Sequence, residues 1–196
     1  MAKIPDIGVG WTGASGLAYG VRLVEVLLQA GRNVNLVLSE AVSQTAPVEL
    51  GEQVDDVVAR LRQTGPGSLR TWNLREFSSP LASGSAQGGP LVVVPCSMGT
   101  VGRIVAGTSE TLLLRAADVC LKERRPLILV PRETPLATHH LQNLTRLSEL
   151  GALVLPAMPG FYHQPRTVED LVDFIVQRIC DHLDVPVDLA RRWGSD

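Results

Sequence analysis

Short apolar runs alternate with longer amphipathic stretches along this 196-residue chain, and this alternation constrains its fold more than any other feature. The candidate strands are short and almost wholly apolar, and they lie at residues 7–11, 34–38, 91–94, 127–130 and 153–155. The candidate helices carry apolar residues at helical spacing, and they lie at 17–30, 40–49, 54–61, 101–106, 110–122, 136–150 and 168–182. The pattern predicts an α/β fold with a single doubly wound, mostly parallel sheet and helices on both faces, Rossmann-like or flavodoxin-like.

Two stretches interrupt this regular pattern. Pro47 lies inside the second candidate helix, where a proline is expected to kink or end it. Residues 51–90 carry weak signals, and the Ser-, Gly- and Ala-rich part at 80–90 is expected to be a loop. No internal repeat is evident, so we expect one domain over residues 1–196, with an extended tail from about residue 183.

The charge and composition of the chain limit the kinds of partner that it is expected to bind. The formal net charge of −2 gives no general attraction for nucleic acid or an anionic membrane, and no apolar run reaches the roughly 20 residues of a membrane span. The three cysteines show no metal or redox spacing, and adjacent His139 and His140 would face different sides of a helix, so no metal site is expected. The absence of a signal peptide and the odd cysteine count favour a reduced, cytoplasmic compartment.

Polar or glycine-bearing turns follow four of the predicted strands. They are residues 12–16, Ser39, residues 97–100 and residues 132–133. Because ligands of doubly wound sheets bind beyond the carboxyl ends of the strands, these turns predict one composite pocket. Three of the turns also have a plain structural explanation: 12–16 as a tight turn, 97–100 as a helix N-cap, and 132–133 as a solvated charged pair.

Four segments, taken in order, resemble the flavin prenyltransferase family of the UbiX/Pad type. They are TGASGLAYGVRLVEVL, PCSMGT, LLLRAADVCLKERRPLILVPRETPL and HLQNLTRLSELGALVLPAMPGFYHQPRTVEDLVDFIVQRI. The resemblance covers most of residues 8–50 and nearly all of 91–193. Two positions depart from it: Phe77 stands where some members have tryptophan, and Leu114 where an acidic residue is frequent.

The resemblance implies an FMN site and a neighbouring site for a prenyl phosphate. The implied FMN contacts are Gly13, Ala14, Ser15, Ser39, Ser97, Met98, Gly99, Thr100, Arg115 and Arg132. The implied prenyl-phosphate contacts are Lys122, Arg132, Tyr162, Arg178 and Trp193. The implied catalytic groups are Ser15, Glu49, Lys122 and Glu133.

The family's reaction is transfer of a dimethylallyl group from dimethylallyl phosphate to N5 and C6 of reduced FMN, without a metal. The resemblance also implies a homo-oligomer, a dodecamer with sites at subunit contacts, and a UbiD-type decarboxylase that receives the prenylated FMN. Two other functions remain open on sequence alone. One is an FMN-dependent cysteine-type decarboxylase of the same fold, and the other is a non-catalytic FMN carrier or subunit of a hydroxyaryl decarboxylase complex.

Overall fold

A computed structural model describes residues 5–86 and 88–194. In this part of the chain six strands form one all-parallel sheet in the order β3-β2-β1-β4-β5-β6. The strands are β1 (Asp6–Trp11), β2 (Val34–Leu38), β3 (Leu69–Asn73), β4 (Gly88–Cys96), β5 (Leu127–Pro131) and β6 (Leu153–Val154). The predicted doubly wound α/β fold is confirmed.

Across the described residues, seven α-helices connect the strands and cover both faces of the sheet. They are α1 (Leu17–Gln29), α2 (Val42–Leu50), α3 (Val54–Leu61), α4 (Met98–Val105), α5 (Leu112–Lys122), α6 (Thr138–Glu149) and α7 (Val168–His182). In the described ranges none of them combines the length and apolar character needed to cross a membrane.

The core consists of two apolar clusters, one on each face of the sheet. Val92 and Val94 of β4 point into the cluster formed with α1, α2, α3 and α7. Leu91 and Val93 of the same strand point into the cluster formed with α4, α5 and α6. This alternation buries both faces of the central strands, as a parallel sheet flanked by helices requires.

Three local expectations are corrected by the structure. The sequence does not predict strand β3. It is a half-exposed edge strand with several polar residues, so it lacks the run of apolar residues that marks the other strands. The expected loop at 80–90 contains a 3₁₀ turn (Pro80–Ala82), and β4 already begins at Gly88. Helix α2 continues through Pro47 to Leu50, so the proline does not end it; the single hydrogen bond lost at a proline can be tolerated in a short, half-exposed helix.

The order of the strands determines where a ligand can bind. The chain passes from β1 outward to β2 and β3, then returns to place β4 on the other side of β1. At this reversal the segments after β1 and β4 diverge toward opposite faces, which opens a crevice at the carboxyl edge of the sheet. The turns at 12–16 and 97–100 border this crevice.

Candidate active site at the strand reversal

Thr12 ties the two strands at the crevice together. Its buried hydroxyl donates to the carbonyl oxygen of Pro95 at 2.8 Å and accepts from the amide of Ser97 at 3.0 Å. The two strand ends therefore keep a fixed separation below the crevice. The sequence places a threonine directly after β1, but its partners come from 83 and 85 residues further along the chain, so pattern alone does not identify this role.

The turn after β1 packs tightly against the start of α2. A Cβ added at Gly13 would lie 2.4 Å from the Cβ of Ala41, so only glycine allows this approach. Gly16 adopts φ 103°, which directs the chain into α1. Ala14 between them is buried. The predicted tight turn is present, and the backbone at 13–16 is held at one edge of the crevice.

Glu49 occupies the amino-terminal end of α1. Its carboxylate accepts from the amides of Gly16 at 2.9 Å and Leu17 at 2.8 Å, and it is hydrogen-bonded to the hydroxyl of Ser15. Partial desolvation of this largely exposed carboxylate works to raise the pKa of Glu49, but these hydrogen bonds and the attraction of Arg132 outweigh it, so the pKa is lowered. An ionised carboxylate therefore already fills the anion-binding end of the helix.

Arg132 joins the end of β5 to the same cluster. Its Nε donates to the carbonyl oxygen of Ser15 at 3.1 Å. Glu133 instead accepts from the amide of Thr134 at 3.2 Å. Within residues 5–86 and 88–194, the two predicted neighbours therefore engage different partners and do not pair with each other. Three predicted residues, Ser15, Glu49 and Arg132, are brought together.

The turn after β4 forms the N-cap that was one of its two interpretations. The Ser97 hydroxyl accepts from the amide of Thr100 at 3.2 Å and lies 3.0 Å from the Thr100 hydroxyl. Met98 is buried beneath the turn, while a Cβ on Gly99 would meet its nearest atom only at 4.0 Å. The cap leaves the Gly99 position open to a flat ligand.

Ser39 supplies an unpaired hydroxyl at the end of β2. Its amide donates to the carbonyl oxygen of Trp11 at 3.1 Å, but its Oγ is buried without a hydrogen-bond partner. It lines a cavity of about 260 Å³ together with Thr100 and Arg103. Buried hydroxyls are normally hydrogen-bonded, so this orphan fits a site that a polar ligand completes.

A second group of predicted residues meets beside α7. Tyr162, Arg178 and Trp193 line a cavity of about 310 Å³. The rings of Trp193 and Phe174 both pack edge-on against Tyr162, with ring centroids 5.3 Å and 5.7 Å from that of Tyr162. Arg178 is ten residues into α7, so it lies about 15 Å along the helix axis from Val168, away from the carboxyl edge of the sheet.

Lys122 and Arg115 lie elsewhere in the same chain. Lys122 ends α5, where it pairs with Glu123 and lies next to the Gly84 loop at the amino-terminal edge of the sheet. Arg115 donates to the carbonyl oxygen of Ala82 at 3.0 Å and pairs with Asp118 at 2.8 Å. A single chain therefore does not gather Lys122, Arg132 and Arg178 at one point.

The three cysteines are all buried and unpaired. Burial raises the pKa of Cys96 to about 12, of Cys120 to about 11 and of Cys180 to about 12. Thiols held in this neutral form are poor nucleophiles. They behave as small core residues.

Comparison with known proteins places this arrangement in a family. The flavoprotein family model matches residues 1–180. A flavin prenyltransferase UbiX of Alkalihalophilus pseudofirmus is 48% identical over 196 residues, covering 98% of this chain and 97% of the relative.

Solved structures agree with the sequence comparison. AnUbiX (PadA1) in complex with FMN and dimethylallyl pyrophosphate matches with a TM-score of 0.90 and 34% identity, covering 98% of this chain and 99% of that one. A dodecameric FMN-dependent UbiX-like decarboxylase from Escherichia coli O157:H7 matches with a TM-score of 0.88 and 39% identity, covering 97% and 100%. The cysteine decarboxylase TvaF, at 19% identity and a TM-score of 0.59, shares the fold alone. The chain belongs to the flavoprotein family and, within it, to the UbiX flavin prenyltransferases.

Proposed function

We propose that this protein transfers the dimethylallyl group of dimethylallyl phosphate to N5 and C6 of reduced FMN. The observation that carries the proposal is the cluster of Ser15, Glu49 and Arg132 at the strand reversal. It places a proton-transfer pair and a cation together at the edge of a crevice. Passive storage of a flavin does not require such a pair, and a cysteine-type decarboxylase would need a histidine base that this crevice lacks among its described residues.

The charges at the crevice set the orientation of FMN. The carboxylate of Glu49 already accepts from the amides of Gly16 and Leu17, so these donors are not available to a phosphate, and the phosphate end lies away from residues 13–16. The cavity beside Ser39 offers an unpaired buried hydroxyl and the cation of Arg103. Glu40 and Glu110 also line it, and Arg103 lies 3.9 Å from Glu110. We place the phosphate there and the isoalloxazine ring over Ser15 and the open Gly99. Gly13, Ala14, Ser97, Met98 and Thr100 then form the walls between the two ends.

Ser15 and Glu49 are suited to proton transfer. The Ser15 hydroxyl is hydrogen-bonded to a carboxylate whose pKa is lowered, so the carboxylate is charged at neutral pH. It can accept a proton through the hydroxyl and return it later, a task that contributes about 10²–10⁴-fold to rates in comparable sites. Glu133, one residue from Arg132, is a second proton acceptor. Reduced FMN supplies the nucleophilic atoms.

Departure of the phosphate requires positive charge and hydrogen-bond donors. As the allylic C–O bond breaks, the leaving phosphate takes the electron pair, and Arg132, Arg178, Lys122 and the Tyr162 hydroxyl stabilise it. Removal of one such donor costs about 2.7–4 kcal/mol of barrier in comparable sites. Trp193 covers the prenyl chain beside Tyr162.

The dispersed positions of these cations favour a shared site in a homo-oligomer. Lys122 ends α5, at the opposite edge of the sheet from the crevice, so an adjoining copy must supply it. Arg115 lies near the start of α5, directly after Leu113 and Leu114, which line the cavity beside Ser39. Large apolar side chains near the second cavity are exposed, with Phe161 at 71% and Trp193 at 81%, and such surface suits subunit contacts. We propose a dodecamer, the state of the E. coli neighbour. We further propose that it works in the cytoplasm and passes prenylated FMN to a UbiD-type decarboxylase.

Anaerobic incubation with reduced FMN and dimethylallyl phosphate tests the proposal. Mass spectrometry of the extracted flavin should find a product heavier by one five-carbon prenyl unit. The matched control is Ser15→Ala, which should slow product formation while the protein remains folded. Unmodified flavin from wild-type protein saturated with both substrates would exclude this function.

A further inference from the structure

The chain after α7 folds back along that helix and is held there by one buried amide. The Gln177 side chain is 3% exposed. Its Nε2 donates to the carbonyl oxygen of Val187 at 3.2 Å, and its Oε1 accepts from the amide of Leu189 at 2.8 Å. This segment lies in neither a helix nor a strand, so Gln177 provides hydrogen bonds that the backbone does not provide for itself.

The same amide also fixes a carboxylate. Nε2 of Gln177 donates to Oδ1 of Asp181 at 3.0 Å. Arg192 binds Asp181 through both terminal nitrogens, at 2.7 and 3.1 Å. The hydrogen bonds from Arg192 and Gln177 lower the pKa of Asp181 against the effect of burial, so the carboxylate remains charged. Asp181 is therefore held from the helix on one side and from the tail on the other.

Asp181 in turn sets the position of Arg178. Nη1 of Arg178 donates to Oδ2 of Asp181 at 2.8 Å. This contact engages one terminal nitrogen of the guanidinium and leaves its other donors available to an anion. Trp193, the residue after Arg192, lines the same cavity as Arg178, and its ring contacts Tyr162.

We propose that Gln177 and Asp181 are positioning residues for the prenyl-phosphate site, an inference that rests on the proposed prenyl transfer. Gln177 clamps residues 187–192 to α7, and Asp181 uses the clamped Arg192 to orient Arg178. The two together bring Arg178, Tyr162 and Trp193 to one cavity. Apolar packing of the tail through Val187 and Leu189 fixes its general path, whereas the polar clamp fixes its register.

Gln177→Leu tests the clamp, because leucine has a similar volume and makes none of the three hydrogen bonds. Without the clamp, the tail should occupy its position beside α7 in a smaller fraction of molecules. The apparent affinity for dimethylallyl phosphate falls in proportion to that fraction. We expect KM for dimethylallyl phosphate to rise about 10-fold, the equivalent of one to two net hydrogen bonds. kcat should stay near the wild-type value because saturating substrate shifts the population back to the clamped tail. Kd for FMN should not change.

Hydrogen exchange at the Leu189 amide gives a readout of the clamp that does not depend on activity. Exchange there should accelerate in Gln177→Leu and stay at the wild-type rate in Gln142→Leu, the same change at an exposed position of α6. If Gln177→Leu does not fold, Gln177→Glu replaces it. The glutamate keeps the shape, cannot donate to Val187 and repels Asp181, so the same rise in KM is expected.

The results separate this inference from the function on which it rests. Wild-type protein that makes no prenylated flavin would remove the proposed function itself. An active wild type with an unchanged KM in the Gln177 variant would overturn the positioning role, and so would an equal loss of FMN affinity. Asp181→Asn should raise KM in the same way, and a wild-type KM in that variant would remove Asp181 from the account.

Discussion

Replacing Glu49 by glutamine probes the charge at the end of α1. The carboxylate accepts from two backbone amides and is bonded to Ser15. Both short amide contacts go to Oε2, so the glutamine oxygen can retain them there. Its NH₂ group then takes the place of Oε1 and cannot accept the longer 3.2 Å contact from the amide of Gly16, because it has no lone pair to offer. The variant therefore loses one charge-assisted hydrogen bond and the favourable charge at the helix terminus.

The magnitude follows from these contacts. A hydrogen bond to a charged group contributes about 1.5–3 kcal/mol net. Because Glu49 is exposed to solvent, screening reduces the expected loss in unfolding free energy to about 1 kcal/mol. Loss of the proton acceptor should lower kcat for prenyl transfer about 100-fold, at the lower end of what general acid–base groups contribute.

Urea unfolding and single-turnover product formation measure the two effects. Glu169→Gln is the matched control, since Glu169 lies exposed in the first turn of α7 and changes only a helix-terminal charge. The unfolding free energy of Glu169→Gln should fall by less than about 1 kcal/mol, the usual contribution of such a charge. This variant should keep full activity. A Glu49→Gln variant with wild-type kcat would refute the proton-transfer role.

The pH dependence of the unfolding free energy tests whether the charge of Glu49 stabilises the fold. The pKa of Glu49 is lowered from its ordinary value of 4.5, so its contribution to stability is fully present above that value. The contribution is lost as pH falls through the lowered folded-state pKa. The difference in unfolding free energy between wild type and Glu49→Gln should therefore shrink below pH 4.5; a constant difference down to pH 3 would contradict the assignment.

Four further substitutions test other parts of the site. Gly13→Ala should weaken FMN binding and destabilise the protein by about 1–3 kcal/mol in urea unfolding, because the new Cβ overlaps that of Ala41; wild-type stability would show that the turn can relax. Ser39→Ala should raise Kd for FMN about 10-fold, which corresponds to one good hydrogen bond to phosphate. The stability of the FMN-free protein should not fall, because the hydroxyl has no hydrogen-bond partner to lose. Unchanged FMN affinity would argue against a phosphate at Ser39. Arg178→Ala and Tyr162→Phe should each impair prenyl transfer while FMN stays bound, as judged by flavin fluorescence; loss of flavin in both would mean that the two cavities are not separate sites.

The central strands and most helices could be predicted from sequence because burial alone dictates them. A strand such as β5 is covered on both faces, so every residue in it is apolar and its bounds are clear. Strand β3 gives no such signal. Among the described residues it pairs with β2 alone, and its Trp72 donates a 2.9 Å hydrogen bond to Asn35, a contact that no local sequence pattern indicates.

Some features of the candidate site could likewise be predicted from sequence, and others could not. The turns that hold Ser15, Ser39 and Ser97 follow strands, so a parallel sheet must bring them to one edge. The pairing of Glu49 with the end of α1 joins residues 32 and 33 positions apart through tertiary packing alone. The tail clamp formed by Gln177 depends on the path of an irregular segment, which periodicity does not describe.

A crystal structure of the assembled protein with FMN and dimethylallyl phosphate tests the central claim most directly. Lys122, Arg132 and Arg178, drawn from adjoining copies where necessary, should lie within hydrogen-bonding distance of one phosphate that faces the isoalloxazine ring. Three cations in separate places, with the phosphate held by none or only one of them, would contradict the account.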